Sequence, residues 1–182
     1  MRGKAVVTAL LAVSMVAGGA GASHMRVPDG RDTRGRLNIK SVKQSGGAFA
    51  KWKITTYKKW SRRDILDQGF FTVYLDTFGN KRHDYYALVW ADKDKMRATL
   101  FRDSKKGSDY EVRSLRSSRP NQRSARVVIP LEKLRIGDNR ATYNWYVQSL
   151  WSGKGCTQVC FDWAPDVGKS GGGIEEPLPL SL

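Results

Sequence analysis

The run Ala48-Phe49-Ala50-Lys51-Trp52-Lys53-Ile54-Thr55-Thr56 decides the fold of this 182-residue chain. Ala48, Ala50, Trp52, Ile54 and Thr56 alternate with Lys51, Lys53 and Thr55, so the pattern repeats every two residues. Successive side chains of a strand point to opposite faces, and a period of two therefore predicts a strand with one apolar and one wet, basic face. Lys51 and Lys53 must point outward together if Trp52 and Ile54 point inward.

Working outward, the same alternation recurs in Phe71, Val73 and Leu75, and further strand candidates run over 85–90, 96–101, 110–115, 125–129 and 142–150, with a shorter one over 37–42. Turn-forming clusters separate them: Phe78-Gly79-Asn80, Asp92 to Lys95, Lys105-Lys106-Gly107, Arg119-Pro120-Asn121 and Gly137-Asp138-Asn139. Eight short strands so punctuated predict an all-β fold, a two-sheet antiparallel β-sandwich with jelly-roll-like character. Residues 60–66, with helical spacing between Asp64 and Gln68, predict a single helical turn, and no long amphipathic helix is indicated.

Polar, Gly-, Asp- and Arg-rich residues 23–36 read as a flexible leader, and residues 168–182, with three consecutive glycines, Pro177 and Pro179, read as a flexible tail. The sandwich domain is thus expected over 37–167. Ahead of the leader, Arg2 and Lys4 precede an apolar run from Ala5 to Ala17 and a small-residue stretch ending Ala20-Gly21-Ala22. That order predicts a secretory signal peptide over 1–22, because the apolar run is shorter than the ~18 to 20 residues that span a bilayer. No transmembrane span is expected after its removal, and the expected location is extracellular.

Two cysteines in an oxidising compartment form a disulfide by default. Four residues of extended strand would hold Cys156 and Cys160 about 13 Å apart, against the ~7 Å limit of a bridge, so the segment between them is expected to be a tight turn. A bridge this short is worth only ~2 kcal/mol and shapes a loop.

The formal charge of +15 becomes +13 without Arg2 and Lys4. The excess is uneven. Lys51, Lys53, Lys58, Lys59, Arg62 and Arg63 fall within 51–63 with no acid among them, and 93–126 carries eleven basic against four acidic residues, while the segment after Cys160 is acidic. One reading is a solvated face that keeps the protein soluble; the other is attraction to a polyanion such as a wall polymer, lipid head groups, an acidic polysaccharide or shed nucleic acid, without nucleic-acid sequence specificity. Tyr57 and Trp60 stand among these cations, and with Lys51, Lys53, Lys58, Lys59, Arg62 and Arg63 they form the candidate ligand-binding patch. Trp60, Trp151 and Trp163 lie at segment ends or in loops, where an exposed ring could stack on a sugar or a base; packing into the core is the other reading for each ring.

Three pieces resemble a known group of sandwiches. They are Val73-Tyr74-Leu75-Asp76-Thr77 followed by a Gly-Asn turn and Asp84-Tyr85-Tyr86-Ala87-Leu88-Val89; Val127-Val128-Ile129-Pro130 with Leu134; and Tyr143 to Ser149. Over about 69–151 they are similar to the jelly-roll sandwiches of family 9 carbohydrate-binding modules and DOMON domains, and the segment from Cys156 to Asp166 resembles tails of secreted actinobacterial proteins of unassigned activity. The resemblance implies binding of a sugar, a haem or another ligand without choosing among them. Haem would need Met96 and His83 to face one pocket.

Asp76, Asn80 and Asp84 in one short loop raise a calcium site, with a hairpin turn capped by its own Asp and Asn as the alternative. No other cofactor is indicated. Catalysis finds little footing: neither His24 nor His83 stands in a nucleophile-elbow context, both cysteines are engaged, and there is no phosphate loop or dinucleotide fingerprint. The expectation is a secreted non-catalytic binding module for a carbohydrate or an anionic cell-surface polymer. A protein-protein interaction or structural domain is the alternative, and a hydrolase using carboxylates such as Asp67, Asp76 or Asp84 is the third reading.

Overall fold

The computed structural model describes residues 24–46, 49–104, 106–135, 142–166 and 180–181. The expected signal peptide and most of the expected tail lie outside them. The strands are β1 (His24–Pro28), β2 (Ile39–Ser45), β3 (Phe49–Thr56), β4 (Gly69–Asp76), β5 (Tyr85–Asp92), β6 (Lys95–Arg102), β7 (Tyr110–Ser114), β8 (Arg116–Asn121), β9 (Ser124–Pro130), β10 (Thr142–Trp151), β11 (Cys160–Ala164) and β12 (Leu180–Ser181). One helix, α1 (Arg62–Gln68), joins β3 to β4, and a 3-10 turn spans Leu131–Lys133.

These strands form a two-sheet antiparallel sandwich. One sheet has the order β1-β2-β3-β9-β8 and the other β11-β10-β4-β5-β6-β7, with β12 paired to β10 at Thr142 and Tyr143. Consecutive strands stay in one sheet for a block and then cross: after β3 through α1, after β7 at Leu115, and after β9. All eight expected strands are present as β2 to β7, β9 and β10.

Period-two alternation sets the layers. In β3, Ala50, Trp52 and Ile54 are buried and Lys51 is exposed; in β5, Tyr85, Ala87, Val89 and Ala91 are buried. The seam between the sheets is aromatic. The Trp52 indole lies 6.3 Å from the Tyr143 ring and meets Trp145 edge-on at 6.4 Å, the separations at which aromatic pairs add to simple area burial. Two polar bonds also cross the seam, from Gln44 Nε2 to the Tyr143 hydroxyl at 3.2 Å and from Ser149 Oγ to the Leu37 carbonyl at 2.9 Å.

The helix starts at a reciprocal cap. Ser61 Oγ accepts the Asp64 N–H at 3.2 Å, Asp64 Oδ2 accepts the Ser61 N–H at 2.6 Å, and Arg36 Nη1 donates to the same carboxylate at 2.8 Å, satisfying donors that a helix start leaves open. Hydrogen bonding to Ser61 and the Arg36 charge hold the Asp64 carboxyl below its usual range, against a partial burial that opposes them.

The structure corrects one boundary and adds a strand that the alternation did not mark. The stretch read as a leader contributes β1, which pairs along its length with β2. It is an edge strand, with Met25 and Val27 turned inward, Arg26 and Pro28 outward, and Pro28 at its end, where a missing N–H does no harm. Residues 160–164, inside the expected domain but not read as a strand, form β11 on the far edge of the other sheet. Cys156 and Cys160 are bridged with Cα atoms 5.6 Å apart, and the chain turns between them before β11 begins.

Trp52→Ala is expected to lower the unfolding free energy by about 3 to 5 kcal/mol, whereas Leu66→Ala, 46% exposed on α1, should stay within about 0.5 kcal/mol. Urea unfolding of the two variants checks this, and equal effects would contradict the placement of the seam.

Candidate functional site

The outer face of the five-stranded sheet collects cations. Register places Arg26 opposite Lys43, Lys43 opposite Lys53, and Lys53 opposite Arg126, which is one transverse row of four like charges across β1, β2, β3 and β9. The adjacent row carries Lys51, with Arg116 beyond Val128, and the Arg116 guanidinium lies 5.7 Å over the Phe49 ring. The five strands of this sheet hold eight Lys and Arg residues and no Asp or Glu, whereas strands β4 to β7, β10 and β11 carry four of each sign. Among the described residues, no ion pair involves any cation of the two rows.

Like charges directly opposite on paired strands are destabilising, so the row is not explained by stability. Edge protection explains cations on edge strands. Lys43, Lys53 and Arg126 stand on interior strands and project from the sheet face, where no strand could add.

The candidate patch is therefore divided and partly corrected. Lys51 and Lys53 belong to this basic face. Lys58, Lys59, Arg62 and Arg63 are exposed on the β3–α1 crossing and the first turn of α1, a helix that packs on β4 and β5 of the other sheet. Lys58 Nζ donates to the Arg34 carbonyl at 2.8 Å. Tyr57 is half-buried, its hydroxyl donating to the Asp29 carbonyl at 2.8 Å with Lys40 Nζ 5.9 Å over its ring. Trp60 is not a rim residue, being 2% exposed. Its ring lies 5.9 Å from Phe71 and is capped by the Arg119 guanidinium at 4.7 Å, and Arg119 Nη2 also donates to its carbonyl, so the crossing drives the indole into the end of the core. Trp151 is likewise buried, with the Arg36 guanidinium 5.6 Å over its ring. Trp163 is 36% exposed and stacks near Phe161, 41% exposed, at 5.8 Å and 23°.

The Asp76, Asn80 and Asp84 loop is a capped turn. Asp76 accepts the N–H groups of Gly79, Asn80 and Lys81 and the Asn144 amide, and Asp84 Oδ2 accepts from Thr77 N at 2.8 Å, Thr77 Oγ1 and Phe78 N. Carboxylates ringed by N–H donors do not present the six to eight oxygens that calcium takes, and positive φ at Gly79 and Lys81 closes the turn. Asp67, raised for hydrolysis, is exposed on α1, away from both. Met96 packs against the core while the His83 ring lies 4.8 Å from Tyr74 on the outer face of the same sheet, so the two cannot ligate one iron. Around His83, Phe101, Tyr86, Tyr74 and Tyr146 form a transverse row, but Tyr74 stacks on Tyr146 at 4.5 Å and Tyr86 on Phe101 at 5.1 Å. All four rings are half-buried.

A second feature was not legible in sequence. Asp29, just past β1, Asp32 in the following loop, and Asp162 on β11 bring carboxylate oxygens within 4.8 Å of one another. Burial pushes the Asp29 carboxyl up to about 8, and the charges of Asp162, Asp166 and Asp32 push the same way. Asp162 is raised for the same leading reason, although the Ile39 N–H donates to it.

Comparison with protein-family models, curated proteins and solved structures finds no match.

Asp84→Ala is expected to lower stability by about 1 to 3 kcal/mol, because it strands the part-buried N–H and hydroxyl donors of Thr77. Urea unfolding checks this, and an unchanged midpoint would mean the carboxylate does not hold the turn.

Proposed function

We propose that the chain is a secreted, non-catalytic binding module whose basic sheet face holds an anionic polymer of the cell surface. The observation that carries this reading is the row Arg26, Lys43, Lys53 and Arg126, in register across four strands with no acid on any strand of that sheet. Self-repulsion in such a row is relieved when a polyanion lies across it. The Cys156–Cys160 bridge and the signal-like first 22 residues support export, and the similarity to family 9 carbohydrate-binding modules and DOMON domains supports a binding rather than a catalytic role.

A second reading rests on Phe161 and Trp163. This exposed, mutually stacked pair on an edge strand offers flat aromatic surface to a neutral sugar. The two readings separate by salt: polyanion binding weakens as the Debye length shrinks from ~10 Å to ~3 Å, and ring stacking does not.

With heparin as the sulfated probe, Lys43→Gln/Lys53→Gln/Arg126→Gln should weaken binding about 100-fold at low salt, taking ~1 kcal/mol per cation at an anionic surface, and should flatten the salt slope. Its thermal midpoint should stay equal or rise slightly as repulsion is removed. Heparin affinity equal to wild type would overturn the proposal. Retention on a neutral polysaccharide that is salt-independent and lost in Trp163→Ala would favour the second reading.

A further inference from the structure

We infer that Asp29, Asp32 and Asp162, with the amide oxygen of Asn38, form a calcium site that clips the edge of one sheet to the edge of the other. Acidic residues gathered together are not in themselves a site; the unmet bonding of these groups is the deciding feature. Asp29 is 8% exposed, and both of its carboxylate oxygens are buried without a hydrogen-bond partner. Asp162 is 1% exposed; its Oδ2 accepts the Ile39 N–H, and its Oδ1 has no partner. Asn38 is 2% exposed, and its Nδ2 donates to Asp32 Oδ1 at 3.2 Å and to Thr33 Oγ1 at 2.9 Å, leaving its buried Oδ1 without a donor. Four buried oxygens from three residues thus lack any positive partner, in a chain with 32 Lys and Arg residues, and none of the ion pairs among the described residues reaches them.

Leaving such atoms unpaired is costly, and more so for charged groups. A bound cation removes that cost. The donor set is entirely oxygen, with no histidine or cysteine in the cluster, which favours a hard ion over zinc. Each of the three carboxylates brings an oxygen within 4.8 Å of the others, close enough for all three to reach one ion at ~2.4 Å. Magnesium demands near-ideal octahedral geometry and keeps several waters, which suits a largely buried carboxylate set less well. Access is open on one side, where exposed Asp32 and half-buried Thr33 line a groove with Arg31, Arg34, Lys58 and Gly155.

The position explains what the ion would do. Asp29 and Asn38 bracket the loop between β1 and β2, at one edge of the five-stranded sheet, while Asp162 lies on β11, the edge strand of the other sheet. An ion among them ties the first strand to the last long-sheet strand across the open end of the sandwich, beside the direct contact of β2 with β11.

The test is calorimetric titration of the purified full chain with calcium chloride after chelator treatment, together with its thermal midpoint with and without calcium. One ion per chain is expected, with a midpoint rise of roughly 5 to 10 °C at about a hundredfold excess over Kd. Asp29→Asn should be at least as stable as wild type in chelator, because it replaces a buried carboxyl crowded by other acids with a neutral amide, and should lose the calcium-dependent rise. Asp84→Ala should keep that rise. Absence of a calcium heat and of a midpoint shift overturns the site, as does an undiminished shift in Asp29→Asn; loss of the shift in Asp84→Ala alone would move the site to the capped turn and overturn this assignment.

Discussion

Burial of the Trp52 indole against Tyr143 and Trp145 is the contact on which the rest of the structure depends. It fixes which face of β3 points inward, and a strand has only two faces. Lys51 and Lys53 then have no choice but to face solvent. Pairing carries the same decision to β2 and β9, because a slip of one residue would bury Lys43 and Arg126 and expose Val42 and Val127. The inner seam and the outer basic face are therefore one constraint seen from its two sides.

The charge distribution follows from where acids could be placed. Those of the strands lie in the six-stranded sheet, in part as turn caps such as Asp76 and in part paired with a cation, as Asp92 is with Arg97, and its outer face also carries stacked aromatic rings. The acids nearest the five-stranded sheet, Asp29 and Asp32, follow its edge strand and meet Asp162 rather than neutralising the cation row. The two unusual electrostatic features thus occupy different regions, a solvated positive face and a buried negative corner. On the proposed readings each takes a partner of opposite sign, a polyanion on the face and a cation in the corner.

Much of the sandwich was legible because apolar alternation marks half-buried strands. The missed strands lacked that signal for particular reasons. β8, Arg-Ser-Ser-Arg-Pro-Asn, has no apolar residue and is held by backbone pairing with β9. β11 reverses the expected parity, burying Asp162 and Ala164 while exposing Phe161 and Trp163. The outward direction of Lys51 and Lys53 could be read locally, but their alignment with Arg26 and Arg126 depends on register between strands distant in sequence. Trp60 was misjudged because its neighbours are charged; its burial comes from the direction in which α1 turns the chain. The pairing of Asp29 with Asp162 joins opposite ends of the domain and leaves no trace in spacing.

The central claim is that the register of the five-stranded sheet builds a single polyanion-binding face. Lysine acetylation read by mass spectrometry, with and without bound heparin, tests it most directly. The account predicts selective protection of Lys43, Lys51 and Lys53, with Lys93 and Lys95 at the β5–β6 turn of the other sheet reacting as in the free protein. Equal protection of all these lysines, or protection confined to Lys93 and Lys95, would contradict it.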